Sequence, residues 1–373
     1  MIRQLFDMMT TANHDASSVA GNCTKIEIST QIPRPKSLFS KSNDFVSSEI
    51  TSYIINNSTH TIKFECNINS RHITLTFITF KPHINSQKYQ RLARKVFMWV
   101  DISSKSSTCI KTLDIYIYLT PFKKQMPSAH GLVLGANNAN SGFTYPCKDR
   151  NEIIIYRKEE WFKVFIHETM HSFGHDTYSK HDGYNVDADT IIRDIFSIPH
   201  NVTVLLSETY SEVWARILSC AFHSFTPSFN TFTKKMHECM DMESQFSLYQ
   251  AIKVISYMGL TYRSFITPNS KHKIESAYKE NTNIFAYYVL TAILMTHYKD
   301  FFDWCIKHNG ATSVFTLKTP ESSFATFIKQ CYRTDILLQK ITETEQDHIE
   351  DTNVVSSKHY SFLRTTMRMT IIS

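Results

Sequence analysis

One ten-residue run limits the fold of this 373-residue chain more than any other feature: VFIHETMHSF at residues 164–173. His167 and His171 are four residues apart, so on a helix both imidazoles leave the same face about one turn apart. Glu168 is the only carboxylate in the run, and the surrounding residues are largely apolar. This pattern predicts a buried helix, and burying two imidazoles and a carboxylate without partners is unfavourable. The rest of the chain must therefore supply a ligand or partners for these three groups.

The spacing of the two histidines suits a metal ion. Both side chains can reach a single Zn²⁺ at roughly 2.0–2.1 Å. Glu168 lies next to the first histidine, where it can accept a proton from a zinc-bound water. We therefore predict His167 and His171 as metal ligands and Glu168 as the general base. The alternative is an ordinary amphipathic helix whose histidines are surface or core residues.

With this motif the chain resembles the zincin metallopeptidases, in which a twisted sheet packs on a backing helix and on the HExxH helix. The second lobe of that family is mainly helical. The resemblance covers roughly residues 60–225 and implies an α+β, zincin-like fold and zinc-dependent endopeptidase activity on a protein or peptide. The predicted elements follow the same order: strands at 60–66 and 72–80, a helix at 87–102, strands at 112–120 and 151–156, and the motif helix at 159–174.

The third metal ligand separates subfamilies of zincins. In the metzincin-like pattern the motif continues as H-E-x-x-H-x-x-G-x-x-H. Gly174 matches the glycine of that pattern, but Thr177 occupies the final ligand position. His175 and Asp176 come one or two residues too early, although they remain alternatives. The gluzincin-like pattern instead takes a glutamate from a later helix.

A second run, SETYSEVWAR at residues 207–216, contains E-x-x-x-E-x-W-x-R. It resembles the third-ligand helix of the anthrax lethal factor group, which has a similar carboxylate pair, aromatic residue and arginine. The resemblance implies that Glu208 is the third zinc ligand and that Glu212 accepts a hydrogen bond from a ligand histidine. The alternative is a pair of exposed carboxylates in which Glu212 pairs with Arg216 four residues later.

The sequence indicates less clearly which residue donates a hydrogen bond to the transition state. The lethal factor group carries a tyrosine seven residues before the ligand glutamate, and here that position is Asn201. We predict Tyr288, on a helix expected at 284–308, as the second catalytic residue, with Tyr210, Tyr287 and His297 as the other candidates. Residues 137–142 (NNANSG) precede the last predicted strand, where zincins bind the substrate main chain on an edge strand. A polar surface loop is the alternative for that stretch.

The composition suggests four segments. Residues 1–58 are rich in Ser, Thr and Asn and are expected to be a loosely packed leader. Residues 59–176 would form the zincin N-terminal lobe with the HExxH helix, and 177–341 a helical C-terminal lobe with helices at 187–197, 204–224, 229–258, 284–308 and 320–341. The tail at 342–373 begins acidic and is expected to be partly disordered.

Composition and charge exclude several classes of function. With 8 glycines the chain has no phosphate-binding glycine loop. A net charge of +6, from 40 basic and 34 acidic residues, is too small and too scattered for a nucleic-acid interface. The longest apolar run, residues 284–295, is shorter than the roughly 18 residues of a membrane span.

The cysteines and the first residues of the chain give an expectation for the cellular compartment of the protein. None of the eight cysteines lies within four residues of another, and the start of the chain does not read as a secretory signal. We therefore expect reduced cysteines and a cytoplasmic or particle-associated protein. The functional prediction is a zinc-dependent endopeptidase of unspecified oligomeric state. The alternative is a catalytically silent zincin-fold protein with a structural or partner-binding role.

Overall fold

A computed structural model describes residues 1–22, 25–40, 42–129, 131–177, 185–310, 313–353 and 358–372. Over these residues the chain is α+β, as predicted, with a mixed sheet in the first half and mainly helices in the second.

Six strands form one sheet in the spatial order β1-β2-β3-β4-β6-β5. The two alternating apolar runs form the antiparallel pair β2–β3, in which Ile62 lies opposite Phe77. β3, β4 and β6 are parallel neighbours, and the short β5 lies antiparallel to β6 at the edge of the sheet. The strands are β1 Lys25–Ser29, β2 His60–Ile68, β3 Arg71–Thr79, β4 Thr112–Tyr118, β5 Gly142–Thr144 and β6 Arg150–Ile155.

The helices of the first half pack on both faces of this sheet. One face is covered by α4, which connects β3 to β4, and by α6, which carries the histidine motif. The opposite face is covered by a smaller apolar cluster that includes Leu38, Ile50 and Ile54. The helices are α1 Ile2–Asn22, α2 Lys36–Phe39, α3 Ser48–Asn57, α4 Ser86–Ser104, α5 Ala136–Ala139 and α6 Trp161–Ser172.

The first 58 residues differ from the loosely packed leader that their composition suggests. α1 buries Leu5, Met9, Ala12 and Ala16, and these residues belong to the main core. Their spacing of four, three and four residues places them on one helix face. The abundance of polar residues concealed this periodicity. The same core extends to Ile341, so among the described residues one core includes side chains from both sides of positions 58 and 176.

The second half is helical, with two interruptions that the pattern did not indicate. The expected helix at 284–308 consists of a π-helical turn, Phe285–Leu290, followed by α12 and α13, which are separated at His297. The expected helix at 320–341 breaks before Asp335. The helices are α7 Val186–Ile195, α8 Leu206–Ser224, α9 Phe229–Tyr257, α10 Tyr262–Ile266, α11 Lys271–Ala277, α12 Thr291–Thr296, α13 Tyr298–Asn309, α14 Glu321–Cys331, α15 Asp335–Asn353 and α16 Lys358–Thr365.

Residues 358–372 belong to the tail that is expected to be partly disordered, and the structure describes this part as folded. α16 covers the first part of this stretch, and the residues after it enter the interior, where Met367 and Thr370 are fully buried. No helix among the described residues is both long and apolar enough to cross a membrane.

The prediction of reduced cysteines is wrong for one pair. Cys109 and Cys147 form a disulfide with a Cα–Cα distance of 5.1 Å. They are 38 residues apart in sequence, and the fold brings the segment before β4 beside the segment after β5. Cys220, Cys239, Cys305 and Cys331 are free and buried, Cys66 is also buried, and Cys23 lies outside the described residues.

Candidate metal centre

Helix α6 presents the motif as the sequence predicts. Phe165, Ile166 and Met170 have no exposed surface and anchor one side of the helix in the main core. His167 and Glu168 lie on the opposite side, where together with His171 they line a cavity of about 400 Å³. Gly174, with φ +67°, ends the segment in a left-handed turn that favours glycine.

Helix α8 brings Glu208 to the two histidines. Oε2 of Glu208 lies 3.2 Å from Nε2 of His167 and 3.3 Å from Nε2 of His171. The two Nε2 atoms are 3.1 Å apart. Glu208 follows His167 by 41 positions and His171 by 37 positions. Each of the three residues offers one ligand atom to a common centre, and this group could hold a metal ion.

Each histidine has a carboxylate behind its second ring nitrogen. Nδ1 of His171 and Oδ2 of Asp176 are 2.5 Å apart. Nδ1 of His167 lies 3.1 Å from Oε2 of Glu212, which is ion-pair distance without the alignment of a straight hydrogen bond. Such carboxylates fix the orientation of a ligand imidazole and raise its basicity.

Charges around the site set the protonation of these groups. Burial disfavours a charged ring at His171, but the negative charges of Asp176 and Glu208 outweigh it and raise the pKa well above the ordinary value. Burial would raise the pKa of Glu212, yet Lys163 and Arg216 hold it well below its ordinary value. An ion that binds here must therefore displace protons from imidazole nitrogens.

Glu212 is buried and paired, so the alternative of an exposed carboxylate is wrong for this residue. Its oxygens lie 2.8 Å and 3.0 Å from Nζ of Lys163, and Oε1 accepts a hydrogen bond from Nε of Arg216 at 2.9 Å. The pairing of Glu212 with Arg216 is therefore present, but it lies inside the protein and not on the surface. Glu212 contacts His167 as well.

Glu168 lines the cavity, and no described group hydrogen-bonds its carboxylate. Burial raises its pKa, against the opposing positive charges of His167 and His171. A Cβ atom added to Gly142 in β5 would lie 3.3 Å from Cγ of Glu168. Strand β5 therefore passes directly beside the predicted base.

The cavity has the edge strand as one wall. Ser141, Gly142, Phe143 and Thr144 line it, and β5 is the last strand of the sheet on that side. The preceding stretch, residues 137–142, includes the end of α5, and its carbonyls at Asn137 and Asn140 accept hydrogen bonds from Arg157. This stretch is therefore fixed at the rim of the cavity.

The structure does not bring the predicted donor Tyr288 to the histidines. It is 1% exposed, and its hydroxyl donates to the carbonyl of Met367 at 2.6 Å, away from the histidines. Its neighbour Tyr287 lines the cavity and donates to Oε2 of Glu208 at 2.9 Å. The ring of Tyr287 lies 5.8 Å from the ring of His167.

The other sequence candidates lie elsewhere. His175 is fully buried, held between Ser103 and Thr316 at 2.8 Å each, and burial lowers its pKa to about 4. Tyr210 accepts a hydrogen bond from Asn309 in the core, and His297 contacts Thr334. Of the metzincin-like alternatives only Asp176 reaches the site, where it contacts a histidine from behind.

Two residues that contact the candidate site, Asp176 and Lys163, are not indicated as its partners by the sequence. Asp176 was weighed only as a ligand, although a carboxylate five residues after His171 can return to it when a glycine turn intervenes. Lys163 lies one turn before His167 on α6, and a lysine in an otherwise apolar helix is a signal that a buried anion faces it.

In comparisons with protein-family models, with curated proteins and with solved structures, nothing matches the chain.

Proposed function

We propose that this chain is a zinc-dependent endopeptidase with a zincin-like fold and a gluzincin-like metal site. The observation that carries the proposal is the mutual spacing of 3.1–3.3 Å among the donor atoms of His167, His171 and Glu208. Tetrahedral zinc with ligands at about 2.0–2.2 Å separates pairs of donor atoms by roughly 3.3–3.6 Å. Two imidazoles and one carboxylate also form the donor set of known catalytic zinc sites, which keep a fourth position open.

Two further features support the proposal. The carboxylates behind both histidines, Asp176 and Glu212, are the partners that metal-ligating histidines normally have. The sheet with its edge strand β5, the helix α4 behind it and the motif helix α6 also follow the order expected for a zincin.

His167, His171 and Glu208 would hold the ion. When bound, zinc lowers the pKa of a water towards 7 and polarises a substrate carbonyl. The chain's own groups then move the proton. Glu168 accepts the proton that the attacking water loses and passes it to the leaving amine, which a carboxylate with a raised pKa does well.

The substrate is positioned by strand and cavity. An extended peptide can pair with the outer edge of β5, because an edge strand offers free backbone donors and acceptors. Its scissile bond then lies over Glu168, since Gly142 of β5 packs against that side chain. The Tyr287 hydroxyl, beside Glu208, is placed to donate a hydrogen bond to the oxyanion that develops on the carbonyl.

Metal analysis combined with a turnover assay tests the proposal. Purified protein is expected to retain one zinc per chain and to cleave denatured casein, with loss of cleavage on chelation and recovery on adding zinc. Absence of bound zinc after incubation with the ion would contradict the proposal. Zinc binding without cleavage of casein or of any peptide in a lysate would favour the alternative, a catalytically silent zincin.

Replacing Tyr287 with Phe tests the assignment of the donor. The change removes one hydroxyl and is expected to lower kcat roughly 10²–10³-fold, the usual effect of losing one oxyanion donor. Tyr288→Phe is the matched control, because its hydroxyl faces Met367, and it should retain activity within about threefold. If the control loses more activity than Tyr287→Phe, the original prediction of Tyr288 is restored.

A further inference from the structure

Residues 366–372, here called the docked segment, lie directly behind the candidate metal centre although they are about 200 positions from helix α6 in sequence. The segment follows α16 and runs through the interior, where Met367, Met369 and Thr370 are at most 3% exposed. The N–H of Met367 donates to the carbonyl of Lys124 at 2.9 Å. Met369 also contributes to the wall of the site cavity.

Two buried carboxylates receive the docked segment. Oε1 of Glu160 accepts the backbone N–H groups of Met369 at 2.8 Å and of Thr370 at 2.6 Å. Oε2 of Glu243 accepts the Thr370 hydroxyl at 2.9 Å and the N–H of Ile371 at 3.1 Å. Hydrogen bonds to a charged acceptor such as Glu160, which is paired with Lys124, are stronger than neutral ones, and together the four contacts define the position of the segment.

Glu160 and Lys163 connect the segment to α6. Glu160 precedes the helix and pairs with Lys124 at 2.5 Å, with neither side chain exposed. Lys163 lies in the first turn, and its Nζ is 3.6 Å from Sδ of Met369. The segment therefore covers a buried group of charges at the start of the motif helix.

The same lysine holds the carboxylate behind a ligand histidine. Nζ of Lys163 contacts both oxygens of Glu212, and Oε2 of Glu212 lies 3.1 Å from Nδ1 of His167. An unbroken series of contacts therefore leads from Met369 through Lys163 and Glu212 to the histidine.

Displacing the segment would change this series. Glu160 and Glu243 would lose their N–H donors, and water would reach Lys163 from the side that Met369 now closes. An ion pair weakens as the local dielectric rises, so Lys163 would hold Glu212 less firmly. Buried ion pairs contribute little net stability, so stability alone does not account for the ion pairs of Glu160, Lys163 and Glu212 beside the site.

We propose that the docked segment is a positioning element of the metal centre, which orients His167 through Lys163 and Glu212. Docking of the segment and binding of zinc then favour each other. This inference rests on the metal-binding part of the proposed function. Since coupling between two binding events is reciprocal, zinc must stabilise docking by the same factor by which docking raises zinc affinity.

Hydrogen–deuterium exchange of the full chain tests this inference without any substitution. Partners behind a ligand histidine typically change metal affinity about 10–100-fold, so zinc is expected to slow exchange of the Met369 and Thr370 amides by the same factor relative to chelated protein. Amides of α11, which is largely exposed and contributes no residue to the cavity wall, serve as the internal control and should exchange at an unchanged rate.

A shortened chain gives a second measurement. Protein ending at Thr365 should bind zinc about 10–100-fold more weakly, and a synthetic peptide of residues 366–373 should restore the affinity, whereas a peptide of scrambled order should not. If the shortened chain does not fold, the exchange experiment on the full chain decides.

The outcomes separate this inference from the proposed function. Slowed exchange at Met369 and Thr370 with unchanged α11 amides supports the inference. Stoichiometric zinc binding with exchange of those two amides unchanged within twofold overturns it and leaves the metal site intact. Failure to bind zinc at all refutes the proposed function and this inference together.

Discussion

The variant Glu168→Gln is expected to lose peptidase activity while it keeps zinc. An amide has nearly the shape of a carboxylate but cannot accept the proton of the attacking water, so kcat should fall about 10²–10⁴-fold, the range for losing a general base. Zinc affinity should stay within about threefold, because no donor atom of the metal trio changes. Cleavage of a fluorogenic peptide library, with zinc content measured on the same samples, checks both parts.

Glu49→Gln provides the matched control for this experiment. It makes the same chemical change at an exposed glutamate on α3 that does not line the cavity, and should leave activity and zinc content as they are. Activity of Glu168→Gln within tenfold of the unsubstituted protein would contradict the mechanism, even if the metal site itself is correct.

The second large effect is expected from Glu208→Gln. Structural zinc sites with four ligands bind with about 10–16 kcal/mol, which amounts to roughly 3 kcal/mol for each ligand, or at least about 10²-fold in affinity. Activity should be lost with the metal. Competition with a chromophoric chelator measures the affinity, and the variant should release zinc at a chelator concentration that leaves the unsubstituted protein loaded.

The zinc affinities of two further variants are compared with that of Glu208→Gln. Glu212→Gln should weaken zinc binding about 10–100-fold, because this carboxylate orients His167 without bonding the metal. His175→Ala should leave affinity within about threefold, since its ring bonds Ser103 and Thr316 instead. Tight zinc binding by Glu208→Gln combined with weak binding by His175→Ala would favour the metzincin-like alternative.

The site could be predicted from the sequence where local periodicity sets the geometry. The spacing of His167 and His171 places both rings on one face of any helix, and the apolar flanks bury the other face. Glu208 was accessible only through the resemblance of its own helix to a known ligand helix. No local sequence pattern indicates that α8 packs against α6 beside His167 and His171.

The helix around Tyr288 departs from the regular α-helix that the sequence predicts. A regular α-helix from residue 284 turns 100° per residue, but the turn Phe285–Leu290 is π-helical and inserts an extra residue. Within this turn Tyr287 contacts Glu208, and Tyr288 contacts Met367 instead. Single π-turns are frequent at functional sites and leave no clear mark in the hydrophobic pattern.

Two other differences arose from tertiary contacts. Composition alone suggested a loose leader, although Leu5 and Met9 share a helix face that the core requires. The role of residues 366–372 depends on contacts with Glu160 and Lys163 across more than 200 positions. Carboxylates that are distant in sequence hold this segment in the interior. Local sequence patterns do not indicate such contacts.

The central claim is that His167, His171 and Glu208 hold one zinc ion. X-ray absorption at the zinc edge, on protein loaded with one equivalent of zinc, tests this claim most directly. The predicted spectrum has nitrogen and oxygen neighbours at about 2.0–2.2 Å with the outer-shell scattering of two imidazoles, and Glu208→Gln alters it. A spectrum with sulfur neighbours, with three or more imidazoles, or identical to that of hydrated zinc would contradict the claim.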